Sequence, residues 1–175
     1  MNITSFAIVL TGAVFCLTAL CSSNTHHLKV GDKAPDFNLI DENGIAHTSD
    51  QLKNKKIALY FYPKDDTPGC TQQACGIRDS FDDLKEANII VLGISKGNQK
   101  SHKKFSEKYH LPFPLLVATE KVLNDYGVNT GILRLWMPLR RTFLIDENGI
   151  IVAIITNVNV KNHAQQILET FTALK

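Results

Sequence analysis

Past residue 28 the chain alternates short apolar runs with amphipathic stripes and turn-forming clusters. Residues 33–52 mix small apolar pieces with turn chemistry, and 56–62 (KIALYFY) is an apolar and aromatic run closed by Pro63, which predicts a buried strand. Thr67-Pro68 predicts a helix N-cap followed by proline at the first helical position, where its missing N–H costs nothing. Cys70, Ala74, Ile77, Phe81 and Leu84 then recur at intervals of 4, 3, 4 and 3, the stripe of one amphipathic helix. Residues 88–95 (NIIVLGIS) predict a strand, 98–109 a lysine-rich helix ended by the prolines at 112 and 114, 115–117 a short strand and 119–126 a short helix. The runs 142–145 and 150–155 flank Asn148-Gly149, a hairpin signal because a tight hairpin turn needs positive φ. Ala164, Ile167, Leu168, Phe171 and Leu174 form a last helical stripe. Strands alternating with helices, with an antiparallel hairpin near the end, predict an α/β sandwich around a mixed sheet. The heptapeptide LIDENGI occurs twice, at 39–45 and 144–150, but the flanks do not match, so two independent Asn-Gly hairpins explain it better than duplication.

Composition sets the N-terminus apart. The first 28 residues carry no Lys, Arg, Asp or Glu, and 3–20 is almost wholly apolar or small. Residues 1–21 therefore resemble a secretory signal peptide, without the usual basic residue ahead of the apolar run, and imply an exported, periplasmic domain over 28–175. Two variants stay open: an uncleaved membrane anchor, since about 18 apolar residues reach roughly 27 Å, and lipidation of Cys21, although Leu20 is large for a lipobox. The whole chain of 175 residues is 44% hydrophobic and 21% charged, with 19 Lys plus Arg against 17 Asp plus Glu. That composition excludes fibrous and disordered classes and gives no basic excess for nucleic acid. A domain of this size buries a core without disulfide staples, so Cys70 and Cys75 point to redox or catalytic chemistry.

The chemistry concentrates between Tyr60 and Phe81. Cys70 falls in the first turn of the predicted helix, near unpaired N–H groups and the positive end of the dipole, which favours the nucleophilic thiolate. The Thr67 hydroxyl is placed either to cap the helix or to turn toward the sulfur; Asp65 and Asp66 oppose a thiolate if they face it, with Lys64 as an offset. Cys75 lies about 7.5 Å further along a helix and about 140° around it, which sets the Cα atoms roughly 8–9 Å apart. That exceeds the ~7 Å limit of a disulfide, so pairing needs the helix to unwind, and Gly76 lowers the cost. The C-x4-C spacing alone also fits metal binding.

Pro63, Thr67 and Cys70 stand in the P-x-x-x-T-x-x-C pattern of peroxiredoxins, and TPGCTQQACGIRD resembles the bacterioferritin comigratory protein branch, also called peroxiredoxin Q. The resemblance runs on through NIIVLGIS, SHKKFSEKYHLPFPLL and RRTFLIDENG, roughly 30–175. It implies a thioredoxin-like fold, reduction of hydrogen peroxide and organic hydroperoxides, and recycling by thioredoxin or a similar thiol reductant, with no cofactor. Residue by residue it implies that Cys70 is peroxidatic and Cys75 resolving, that an intramolecular disulfide joins them, and that Thr67 bonds the thiolate and peroxide oxygens while Pro63 shields the pocket. Arg140 matches the arginine of the R-x-T/S-F pattern; Arg141 is its rival, and adjacent strand residues face opposite ways. A monomer is expected.

The sequence departs from the branch at Val117-Ala118-Thr119 and over 126–139, which holds Trp136. The bland reading of the latter is an apolar loop packed on the domain. The six histidines, His26-His27 included, show no metal-ligand spacing, and no metal is expected. Two other classes remain: an exported thiol-disulfide oxidoreductase, which usually carries C-x-x-C, and a non-enzymatic redox or metal-binding module.

Overall fold

The computed structural model describes residues 27–129 and 137–174. The proposed signal segment, its anchor and lipidation variants at Cys21, and Trp136 lie outside them. Among the described residues no helix is long and apolar enough to cross a membrane.

Two short strands, β1 (Asn38–Ile40) and β2 (Ala46–Thr48), form a hairpin of their own and lead through a 3-10 turn at Ser49–Leu52 into β3 (Lys56–Phe61). Then come α1 (Pro68–Asp79), α2 (Phe81–Glu86), β4 (Ile89–Ser95), α3 (Gln99–Tyr109), β5 (Leu115–Val117), α4 (Glu120–Asp125), β6 (Arg141–Ile145), β7 (Ile151–Ile155) and α5 (His163–Ala173). The main sheet runs β5-β4-β3-β6-β7 and is mixed. β3 pairs in parallel with β4, and antiparallel with β6 so that Phe61 faces Arg141. This register sets the start of β6 at the carboxyl end of β3, where the chain turns into α1.

Alternation along β3 sorts the core into two layers. Ala58, Tyr60 and Tyr62 pack with Cys70, Ala74 and Ile77 of α1, Leu84 of α2 and Ala164 and Ile167 of α5. Ile57, Leu59 and Phe61 pack on the opposite face with Leu123, Tyr126 and Phe143. Gly93, on β4, leaves room for the Tyr60 hydroxyl: a Cβ there would lie 2.7 Å from it.

One sequence expectation about the elements needs correction. The stripe from Cys70 to Leu84 is not one helix: Ser80, at φ −115° and ψ 24°, breaks it, so that α2 packs separately beneath β4. In both LIDENGI hairpins positive φ falls on the glycine alone, Gly44 at 83° and Gly149 at 77°, the signature of a turn followed by a glycine bulge. The two copies make the same local bonds. Asp41 accepts from the N–H of Asn43 and Ile45 as Asp146 does from Asn148 and Ile150, at 2.8–2.9 Å. They differ in context, because Glu42 accepts from the Leu115 N–H at 2.9 Å and so covers the edge of β5, whereas Glu147 is exposed and meets Lys56.

Candidate active site

Pro68 opens α1, and Thr67 precedes it in extended conformation as the N-cap. Cys70, third in the helix, is 2% exposed, its sulfur held inward by the Tyr60, Tyr62 and Ala74 layer. The first-turn N–H groups have no side-chain cap from Thr67, so the positive end of the helix stays directed at the Cys70 region. Arg140 donates from Nη2 to Cys70 Sγ at 3.2 Å and from Nη1 to Gln73 Oε1. Arg141 instead reaches the Gly127 carbonyl, at 3.5 Å. The alternation that sends neighbouring strand residues to opposite faces thus puts Arg140, and not Arg141, on the sulfur.

The Thr67 hydroxyl neither caps α1 nor bonds to the sulfur here. It donates to the Lys64 carbonyl at 3.1 Å, closing a turn in which Asp66 takes a left-handed φ of 54°. Pro63 is half-buried behind β3, and its carbonyl accepts from Ser95 at 3.2 Å. Asp65 and Asp66 turn toward α3. Asp65 accepts from Tyr62 at 2.7 Å and from Ser101, and pairs with buried His102 at 2.8 Å; Asp66 pairs with Lys108 and Tyr109. Burial alone would raise the Asp65 carboxyl, but the bonds from His102, Ser101 and Tyr62 outweigh it and hold it below its ordinary value. The loop before Cys70 is therefore clamped to α3 by its own acids.

Cys70 and Cys75 are both free thiols, and Cys75 is half-buried on the same helix. Gly76 has a packing role as well as its conformational one: a Cβ there would stand 3.1 Å from the Lys161 carbonyl, in the segment just before α5.

Sequence reasoning missed Gln73 and His163. Gln73, 1% exposed, sits one helical turn beyond Cys70, and that i,i+3 spacing was an available signal. His163, fully buried at the start of α5, lies 2.9 Å from both Gln73 Nε2 and Thr142 Oγ1. Burial, with the Arg140 charge second, pushes His163 down to about 4, so the imidazole is neutral at physiological pH. Burial also drives Tyr60 well above its ordinary value, helped by the nearby Cys70 and Asp65, and its hydroxyl has no hydrogen-bond partner among the described residues. Among the described residues no group of three or more His, Cys, Asp or Glu is arranged to hold a metal.

A buried cysteine in the first turn of a helix, bonded by an arginine that stands just before β6 on a thioredoxin-like fold, defines a thiol-dependent peroxidase. The chain belongs to the AhpC/TSA family, whose model matches residues 30–154, and its relatives there include peroxiredoxins of the Bcp and Q type. A Coxiella burnetii protein bearing the name peroxiredoxin bcp is 46% identical over 146 residues, 81% of this chain and 97% of that one. Peroxiredoxin Bcp of Bacillus subtilis is 39% identical over 148 residues, 82% and 94% of the two chains. The crystal structure of the peroxidoxin BcpB from Mycobacterium tuberculosis superposes with a TM-score of 0.78 at 34% identity, covering 85% of this chain and 99% of that one.

Proposed function

We propose that Cys70 is the peroxidatic nucleophile, and that the 3.2 Å bond from Arg140 to its buried sulfur carries the assignment. The thiolate attacks one peroxide oxygen; the S–O bond forms as the O–O bond breaks, and water or an alcohol leaves after taking up a proton. Cys70 becomes a sulfenic acid, oxidised by two electrons. Arg140 stabilises the thiolate before attack and the negative charge moving onto the leaving oxygen during it. Thr67 has acceptor lone pairs for the peroxide O–H, and a rotation of its hydroxyl away from Lys64 supplies a donor as well. Pro63 shields the pocket beside the clamped loop.

Cys75 is proposed as the resolving thiol. Its sulfur attacks the Cys70 sulfenic acid, forming the S–S bond and releasing water. On an intact α1 the two Cα atoms are separated by roughly 8–9 Å, beyond disulfide reach, so the first turns unwind first. A thioredoxin-type dithiol then takes up the oxidising equivalents, and the protein works as a monomer on hydrogen peroxide and organic hydroperoxides. The relative in Xanthomonas campestris, 27% identical in sequence with a TM-score of 0.71, is described as having alkyl peroxide reduction activity.

Stopped-flow peroxide consumption tests the two roles. Cys70→Ser is expected to abolish turnover, whereas Cys75→Ser keeps the first oxidation and stops there. Equal first-phase rates in Cys70→Ser and wild type would refute the assignment.

We propose further that residues 1–21 are a signal peptide ahead of a peroxidase domain at 28–175. The charge-free apolar run alone supports this, and the relatives lend export no support. N-terminal sequencing of protein from its native cell is expected to begin near Ser22; an intact Met1 would rule cleavage out.

A further inference from the structure

We propose that His163 is a positioning residue of the peroxidase site: its imidazole orients the Gln73 amide so that the carbonyl oxygen faces Arg140, and thereby aims the guanidinium at Cys70. The proposal rests on the reading of Cys70 as the reacting sulfur.

The polarity of the chain of bonds follows from donor and acceptor chemistry. A guanidinium only donates, so the group that Gln73 turns to Arg140 Nη1 must be its carbonyl oxygen. The Gln73 NH2 then points at His163 and donates to Nδ1 at 2.9 Å, which makes Nδ1 an acceptor without a proton. The ring proton is left on Nε2, where it donates to Thr142 Oγ1 at 2.9 Å. A reversed amide would face NH2 to the guanidinium, a donor–donor clash that neither imidazole tautomer relieves, where Gln73, Thr142 and His163 are at most 1% exposed and bulk water does not reach.

The ring is locked from other sides too. Tyr60 meets it edge-on with ring centroids 5.9 Å apart, and Thr142 is fixed by the register of β6 against β3. The low titration of His163 agrees with this, because an imidazolium would carry a proton on Nδ1 and reverse the amide. Arg140, half-exposed just before β6, thus takes its direction from an anchor at the start of α5. Three elements distant in sequence, α1, β6 and α5, meet at this one group.

Two experiments test the proposal. Nitrogen NMR of the reduced wild-type protein near neutral pH is expected to show His163 as the neutral Nε2–H tautomer; an Nδ1–H tautomer or an imidazolium would overturn the bond polarity. His163→Leu removes the acceptor and is expected to lower the rate of Cys70 oxidation by hydrogen peroxide, and of its alkylation by iodoacetamide, about tenfold. His163→Asn restores an acceptor at the place of Nδ1 and is expected to recover most of both rates, while Thr142→Val, which frees only the Nε2 end, falls between. Should the leucine variant fail to fold, the asparagine and valine variants and the tautomer still decide the matter. Wild-type rates in folded His163→Leu, or equal losses in the Leu and Asn variants, would make His163 mere packing. Peroxide consumption by Cys70→Ser would strike the underlying reading instead, and the tautomer, measured without any Cys70 chemistry, separates the two failures.

Discussion

Replacing Arg140 by methionine keeps most of the side-chain volume and removes the charge. In the folded protein the guanidinium donates to Cys70 Sγ at 3.2 Å and also satisfies Gln73 Oε1, which is buried and accepts no other hydrogen bond among the described residues. A charge-assisted hydrogen bond of this kind contributes about 1.5–3 kcal/mol net, far less than the roughly 5 kcal/mol that bare Coulomb attraction gives at an effective dielectric of 20, because Arg140 is partly solvated. If that stabilisation is felt by the thiolate and by the developing oxyanion, the first oxidation slows about 10- to 100-fold. The orphaned Gln73 carbonyl adds a further cost of about 1–3 kcal/mol in folding stability. Arg141→Met, which gives up only a 3.5 Å bond to the Gly127 carbonyl, is the control and should stay within about threefold. The assay is stopped-flow oxidation under pseudo-first-order peroxide, with urea unfolding to separate rate from stability. An Arg140→Met rate within twofold of wild type, or greater damage in Arg141→Met, would refute the electrostatic role given to this side chain.

Hydrogen exchange on the disulfide-bonded form should show residues 71–78 losing protection relative to the reduced form; retained protection would remove the unwinding step. Gly93→Ala forces a Cβ within 2.8 Å of the buried Tyr60 hydroxyl and Leu115 side chain, and should cost about 1–3 kcal/mol, seen as a drop of several degrees in Tm. Asp65, whose carboxyl sits below its ordinary value, contributes stability at pH above the ordinary carboxylate range and loses it as pH falls through the folded value. Asp65→Asn should therefore be less stable than wild type by about 1–3 kcal/mol at neutral pH, with the gap closing in acid; a pH-independent gap would assign the loss to shape instead of charge.

What the sequence showed and hid follows from the range of each signal. The buried β3 run, the Thr67-Pro68 start of α1 and the apolar stripe through Cys70 are local patterns, and the structure reproduces them. The break at Ser80 was hidden because Phe81 and Leu84 keep the helical spacing across it. The two hairpin turns were legible as turns, while their bulged form depends on Asp41 and Asp146 bonding the loop amides, which spacing does not report. The acids beside Cys70 were read as a threat to its charge. Only the packing of α3 turns Asp65 and Asp66 away from it and makes them clamps. The Gln73–His163–Thr142 chain was least legible, since His163 looks like any scattered histidine until β6 and α5 are brought beside α1.

The most direct test is to identify the first sulfur oxidised. Reduced wild-type protein is mixed with one equivalent of hydrogen peroxide in the presence of a sulfenic-acid-specific carbon nucleophile, quenched within the first phase, and digested for mass spectrometry; Cys75→Ser, which cannot resolve, is treated in parallel. Adduct on Cys70 alone, accumulating further in Cys75→Ser, is the expected result. Adduct appearing first on Cys75, or Cys70 remaining a free thiol while peroxide is consumed, would contradict the assignment of the buried sulfur beneath Arg140 as the reacting atom.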